Sequence, residues 1–202
     1  MIPMIPPKIG AVILAAGRSS RMQALKALLP FNDEITFLNK LLMTYLSWGC
    51  DEVVVVLNEA LEKEYVCPEE LKKHVTFVKN EHLEFERFYS VKLGFQHILT
   101  ADFCFLQNVD NPFIDEEILN EIYLKRSEEE WISPRNNGKG GHPVLLPKMM
   151  ILQLSKFPVN DANLKSVLEG WPCKKVELNR TDILININDP QDFEENKSHK
   201  AE

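Results

Sequence analysis

The chain has 202 residues, 45% of them hydrophobic and 26% charged, which is long and apolar enough to bury one large core without staples. Its formal net charge of −7 excludes broad nucleic-acid binding, which needs a basic surface, but not the binding of a nucleotide, for which a few local cations suffice. The four cysteines, Cys50, Cys67, Cys104 and Cys173, are scattered without a CxxC pair, which argues against structural zinc and against a disulfide framework.

In chain order, the start MIPMIPPKIG has three prolines and no apolar run behind a basic stretch, so it does not read as a signal peptide. Ile9 to Ile13 is an apolar run that predicts a buried strand. It empties into LAAGRSSRM, Leu14 to Met22, followed by Lys26. Small side chains there let backbone N–H groups approach phosphate oxygens, and Arg18, Arg21 and Lys26 supply positive charge, so the turn predicts a polyphosphate site. Ile35 to Trp48 carries a helical apolar stripe ended by Gly49. Glu52 to Leu57 is a continuous β-branched run, hence a strand buried on both faces. Ala60 to Lys73 predicts a helix broken at Pro68, Val75 to Val78 a strand, and Ser90 to Leu99 a helix. Phe103 to Gln107 predicts another buried strand, leading into Asn108-Val109-Asp110-Asn111-Pro112, and Asp115 to Arg126 a helix with an acidic first turn and a basic last one.

Trp131 to Pro134 and Val144 to Leu146 predict strands flanking the loop Arg135 to Pro143. Asp161 to Leu168 predicts a short helix, Lys174 to Leu178 and Ile183 to Ile187 predict late strands, and Asn196 to Glu202 a frayed polar tail. No segment approaches the roughly 20 apolar residues of a membrane span, so the expected location is the cytoplasm. Without repeats or low-complexity linkers, residues 1–202 read as one domain with a core of about 8–195. The alternation of strands and helices predicts an α/β fold: three layers, Rossmann-like, a mostly parallel sheet with helices on both faces. Ligands of such sheets bind beyond the carboxyl ends of the strands, and both polar turns, Ala15 to Arg21 and Asn108 to Pro112, follow strands and fall on that edge.

The first turn is neither GxxxxGK[ST] nor GxGxxG, which excludes a P-loop ATPase and leaves a dinucleotide site little support. It resembles the signature LAAGxSxRMxxxK of the MobA-like nucleoside triphosphate transferases, and within them most the molybdenum cofactor cytidylyltransferases. Leu14, Ala15, Ala16, Gly17, Ser19, Arg21, Met22 and Lys26 match without a gap. VDNPF, Val109 to Phe113, resembles the family's D-x-P turn, and Gly141 to Val144 its G-H-P-V segment. Asn80 to Gly94 resembles NxxWxxGMxxSLxxG, keeping Asn80, Ser90 and Gly94. Asn160 to Leu168 resembles GDxGARxLL, and Leu184 to Phe193 the closing LIDIDTPEDL.

The resemblance implies a fold of the nucleotide-diphospho-sugar transferase type and transfer of a nucleoside monophosphate, with CMP favoured, from an NTP to a phosphorylated acceptor such as molybdopterin. Backbone amides from Ala16 to Ser19 would cradle the β- and γ-phosphates. Arg21 would draw charge toward pyrophosphate, and Lys26 would stabilise charge at the α-phosphate. Leu14, Ala15, Arg18, Asn80, Ser90 and His142 complete the implied nucleotide contacts. Asp110 would hold Mg²⁺ (or Mn²⁺), with Asn186 and Asn188 as further ligands. Rival readings are a sugar-phosphate nucleotidyltransferase and a catalytically weak nucleotide-binding protein of the same fold. The chain departs from the pattern at named places: Gln23 and Glu86 stand where the family has glycine, and Arg87, Phe88 and Tyr89 replace small or flexible residues. Lys165 replaces arginine, and Asn186 and Asn188 replace aspartates, which predicts metal binding that is weaker or leans on Asp110 and the phosphates.

Overall fold

The computed structural model describes residues 6–197; of the predicted frayed tail, 198–202 lie outside the described residues. The strands are β1 (Ile9–Leu14), β2 (Glu52–Leu57), β3 (Val75–Lys79), β4 (Phe103–Asn108), β5 (Trp131–Asn136), β6 (Lys139–Gly140), β7 (Val144–Pro147) and β8 (Cys173–Glu177). The helices are α1 (Phe37–Trp48), α2 (Glu59–Glu64), α3 (Glu69–Lys72), α4 (Glu86–Gln96), α5 (Glu116–Leu124), α6 (Lys148–Ser155), α7 (Leu164–Glu169) and α8 (Pro190–Glu195). They form one sheet in the order β3-β2-β1-β4-β7-β5-β6, with β8 paired to β5. The pairs β1–β2, β1–β4, β2–β3 and β5–β8 are parallel, whereas β7 runs antiparallel between β4 and β5.

Strand alternation divides the core into two layers. On one face Ala11, Ile13, Val53 and Val55 pack with Leu38, Leu41 and Tyr45 of α1 and Ile118 and Ile122 of α5. On the other, Val12, Leu14, Val54 and Val56 pack with Phe88, Val91 and Phe95 of α4 and Met150 and Leu154 of α6. The predicted helix–sheet–helix layering is the one observed. Each Val, Leu, Ile, Phe or Met among them taken fully out of water contributes about 1.5–3 kcal/mol, so the two layers fix where the strand ends lie. α1 begins at Thr36, whose hydroxyl accepts from the Asn39 N–H, and ends at Gly49 in the left-handed conformation at φ 101°.

Several predicted boundaries move. The helix 60–73, predicted with a break at Pro68, is two short helices, α2 and α3, the break extending over residues 65–68. α4 starts four residues before Ser90, and α7 starts at Leu164 because Asn163 caps it. α6 and α8 were not expected, although Asp189 capping α8 with proline at its first position is a legible start signal. Ile183 to Ile187 is not a strand. Asp182–Leu184 forms a 3-10 turn, and the segment's carbonyls at Asp182 and Ile185 accept from the Asn111 side chain instead of from a neighbouring strand. No helix among the described residues is long and apolar enough to cross a membrane.

Candidate active site

β1 and β4 are parallel neighbours with Leu14 opposite Asn108, so the turns that follow them emerge side by side at one sheet edge. The first turn leaves the sheet as the Ala15 N–H donates to the Val56 carbonyl at 2.8 Å. Ser19 then takes φ 49°, and its carbonyl accepts from the N–H groups of Met22 and Gln23. Asn58, buried at the end of β2, braces the turn from beneath. Its amide donates to the carbonyls of Ala16 and Gly17, both at 3.2 Å, while its Oδ1 caps α2 through the Leu61 N–H. Asn58 was not singled out in the sequence, although an asparagine between a strand and a helix at this edge is the available signal.

The second turn is held by a buried relay. Tyr45 donates to Gln107 Oε1 at 3.0 Å, and Gln107 Nε2 donates to the carbonyls of Asn108 and Asn111. Asn111, fully buried, reaches the carbonyls of Asp182 and Ile185, and the Ile187 N–H donates to the Asp110 carbonyl at 2.7 Å. Asn111 thereby clamps the C-terminal segment against the turn and delivers Asn188 beside Asp110.

Lys26 joins the three segments. Its Nζ lies 3.1 Å from Asp110 Oδ2 and donates to Asn188 Oδ1 at 2.9 Å; Arg21 reaches the same amide oxygen at 3.5 Å. The Lys26 and Asp110 side chains are only 13% and 24% exposed, so their attraction is less screened than that of a surface pair. They border a cleft of ≈ 510 Å³, lined by the whole run from Leu14 to Arg21, by Asn108, Asp110 and Asn188, and on its other wall by Leu83, Glu84, Glu86, Arg87 and Ser90. That is the size of a small-molecule site.

Three implied contacts fall elsewhere. Asn80 is buried away from the cleft with both ends of its amide committed, donating to Ser90 Oγ at 2.9 Å and accepting from the His82 N–H at 2.8 Å. It positions Ser90, which does reach the cleft. His142 stands behind Asn108, whose amide meets Nε2 at 2.9 Å. Burial, helped by the nearby charge of Arg87, pushes the His142 pKa down to about 3, so the ring is neutral. Asn186 turns its amide onto the Leu184 carbonyl at 3.0 Å and does not line the cleft. Of the two asparagines, only Asn188 is a candidate ligand.

The donor set suits a small hard cation. Asp110 Oδ1 is buried and has no hydrogen-bond partner among the described residues, which leaves an acceptor directed at nothing else. No group of three or more His, Cys, Asp or Glu side chains that could hold a metal occurs among the described residues. One carboxylate and one amide oxygen, completed by phosphate oxygens and water, is a coordination that magnesium accepts.

The family model for the MobA-like NTP transferase domain matches residues 11–178, which carry both turns, Lys26, Asp110 and the far wall of the cleft. The chain belongs to this family. It is 29% identical over 188 residues to the molybdenum cofactor cytidylyltransferase of Escherichia coli (strain K12), covering 92% of this chain and 93% of that protein. Among solved structures it is similar to a nucleotidyl transferase from Methanothermobacter thermautotroptrophicus, with a TM-score of 0.77, 24% identity and 96% and 97% of the two chains covered. It is also similar to Rv0371C from Mycobacterium tuberculosis H37Rv in complex with manganese, with a TM-score of 0.73, 19% identity and 93% and 97% covered. At these identities the two structures establish the fold, and the family match establishes the nucleotidyltransferase class.

Proposed function

We propose that this chain transfers CMP from CTP to a phosphorylated small-molecule acceptor, molybdopterin being the favoured one, with release of pyrophosphate. The observation that carries the reading is Lys26, set between Asp110 and Asn188 where the phosphate turn meets the end of β4. The chemical difficulty in nucleotidyl transfer is that an anion attacks an anionic phosphorus, so catalysis is chiefly positioning and charge neutralisation. Backbone amides between Ala16 and Ser19 hold the β- and γ-phosphates, and Arg21 stabilises the negative charge that accumulates on departing pyrophosphate. Lys26 carries the charge that grows at the α-phosphate. Asp110, through its free oxygen, and Asn188 would hold Mg²⁺ (or Mn²⁺), which when bound neutralises and orients the triphosphate. A phosphate acceptor arrives already deprotonated, so no general base is required, and a neutral His142 behind the wall is consistent with that. The name of the Escherichia coli relative supports both the nucleotide and the acceptor, and the manganese complex of a structural neighbour supports the ion.

A second reading, a nucleotide-binding protein with little turnover, is favoured by the uncharged Asn188 and by Glu86, a carboxylate on the cleft wall. The deciding experiment is pyrophosphate release from each NTP with Mg²⁺, with and without molybdopterin or sugar phosphates. Release from CTP dependent on molybdopterin is expected. Release with a sugar phosphate alone would move the acceptor class, and tight NTP binding without release under any condition would establish the second reading.

A further inference from the structure

We propose that Arg87 is the receptor for the acceptor's phosphate, gripping it from the wall of the cleft formed by the segment between β3 and α4. The inference rests on the nucleotidyl-transfer reading and deepens it by assigning the second anion site. Among the described residues four cations line the cleft, and three of them, Arg18, Arg21 and Lys26, come from the turn after β1. Lys26 is committed to Asp110 and Asn188, and Arg21 lies within reach of Asn188. Arg87 comes from the other wall and makes no hydrogen bond or ion pair with any described residue.

It lines the same cleft as Lys26 and Asp110. Arg87 is exposed overall, yet crowding by the cleft walls lowers its pKa from the usual arginine value, while the Asp110 carboxylate pulls it back up. The same positive charge is felt by His142, behind Asn108. Arg87 thus shares the cleft with Asn108, Asp110 and Lys26 at the end of β4, and its charge acts across it. An exposed guanidinium on the cleft wall without a partner among the described residues is available to an arriving anion. Its flat fork suits the paired oxygens of a phosphate better than an ammonium does.

In-line displacement then decides which phosphate. The leaving pyrophosphate and the incoming oxygen occupy opposite sides of the α-phosphorus. The turn after β1 already supplies amides and Arg21 to the leaving side, so a cation on the other wall serves the incoming one. Neighbouring rings hold the backbone beneath Arg87 in place. Phe88 is buried with its ring 5.2 Å from that of Phe157, and Tyr89 packs on Phe85 at 5.4 Å.

Calorimetry with inorganic phosphate as probe tests the assignment on protein saturated with Mg²⁺ and the non-hydrolysable CTP analogue carrying a methylene between its α- and β-phosphorus. Wild type should bind phosphate only when the analogue fills the nucleotide site. Arg87→Ala should weaken that binding by about tenfold or more, with Arg87→Lys intermediate and the affinity for the analogue kept within about threefold. Arg87→Gln, which retains a long polar side chain, provides the same comparison should the alanine variant fold poorly. Unchanged phosphate affinity in these variants, or no phosphate binding to the analogue-loaded wild type, would overturn the assignment. A large loss of analogue affinity with Arg87→Ala would also overturn it, by making Arg87 an NTP contact. Failure of wild type to bind the analogue at all would instead sink the underlying nucleotidyl-transfer reading.

Discussion

Glu86 opens α4 with φ 54° and ψ −148°, a conformation in which a side chain's Cβ crowds the flanking backbone and which glycine alone enters freely. A residue held there stores about 1–3 kcal/mol of strain. Glu86 is exposed and makes no side-chain hydrogen bond among the described residues, so its substitution isolates the backbone term. Glu86→Gly and Glu86→Ala both remove the carboxylate from the helix's first turn, where it contributes about 0.3–1 kcal/mol. Only glycine removes the Cβ, and it gives back about 0.5–1 kcal/mol as extra freedom of the unfolded chain. The glycine variant should therefore exceed the alanine variant by about 0.5–2 kcal/mol. For a chain of this size that is a melting-temperature difference of roughly 1–8 °C, readable by calorimetry or as a shift of the urea midpoint at constant m. An alanine variant as stable as the glycine variant would refute the strain argument. Because Glu86 also faces the cleft that holds Arg18 and Arg21, both variants should bind CTP more tightly than wild type, and the gain should shrink as salt rises.

Lys26→Ala should lower turnover by about 10²–10³-fold while weakening NTP binding far less; equal losses in both would remove it from the transition state. Gly94→Ala would drive a Cβ into Val12 and to 3.2 Å from Val56 Cγ2, prising α4 from the sheet. It should cost about 1–3 kcal/mol, seen as a melting temperature lower by several degrees. His142, with its folded pKa at about 3, stays neutral in the native state, whereas the unfolded chain takes up that proton near pH 6.5. Native stability should therefore fall as pH drops through that window, by up to about 2 kcal/mol at pH 5, and not change above pH 7. His142→Gln should flatten the slope between pH 7 and 5. That interval lies above the range where carboxylates held low, such as Asp102 through the Lys8 N–H, contribute. Asn188→Asp should tighten Mn²⁺ binding in the presence of a non-hydrolysable NTP by about tenfold, followed by electron paramagnetic resonance; no change would strike Asn188 from the ligand set.

The parts of the fold legible in the sequence were those whose signal is local. β1, β2 and β4 read as continuous apolar runs because parallel central strands are covered on both faces, and α1 announced itself by a stripe and a terminal glycine. The cleft was legible because two strand ends carrying polar turns become neighbours in a parallel sheet. What escaped depends on partners distant in the chain. Ile183 to Ile187 alternates like a strand, yet Asn111, about 70 residues earlier, takes up its carbonyls and Asp110 takes its Ile187 N–H. Asn80, His142 and Asn186 sit in the right segments, but which way each amide or ring faces is set by Ser90, Asn108 and the Leu184 carbonyl. Asn58 and Arg87 carry no motif, and their roles emerge only from what lies above them.

Gln23 and Glu86 bear on whether the site is in use. The family pattern that this chain resembles has glycine at both positions, and replacing glycine there removes the residue that makes a left-handed backbone inexpensive. Ordinary geometry would be the easier choice for a residue with a Cβ, yet Gln23 takes φ 56° and Glu86 φ 54°. The surrounding contacts over-determine both: the Ser19 carbonyl holds the Gln23 N–H, and buried Phe88 anchors the turn that Glu86 begins. Strain of this kind persists where packing enforces a shape, and here the shape enforced is that of the two walls facing one another across Lys26 and Asp110. The side chains differ from the family pattern, while the backbone at both positions keeps a positive φ of the kind glycine enters freely. Departures from the family pattern in catalysis should therefore be sought first in the charged and polar groups that line the cleft, Glu86, Arg87 and Asn188.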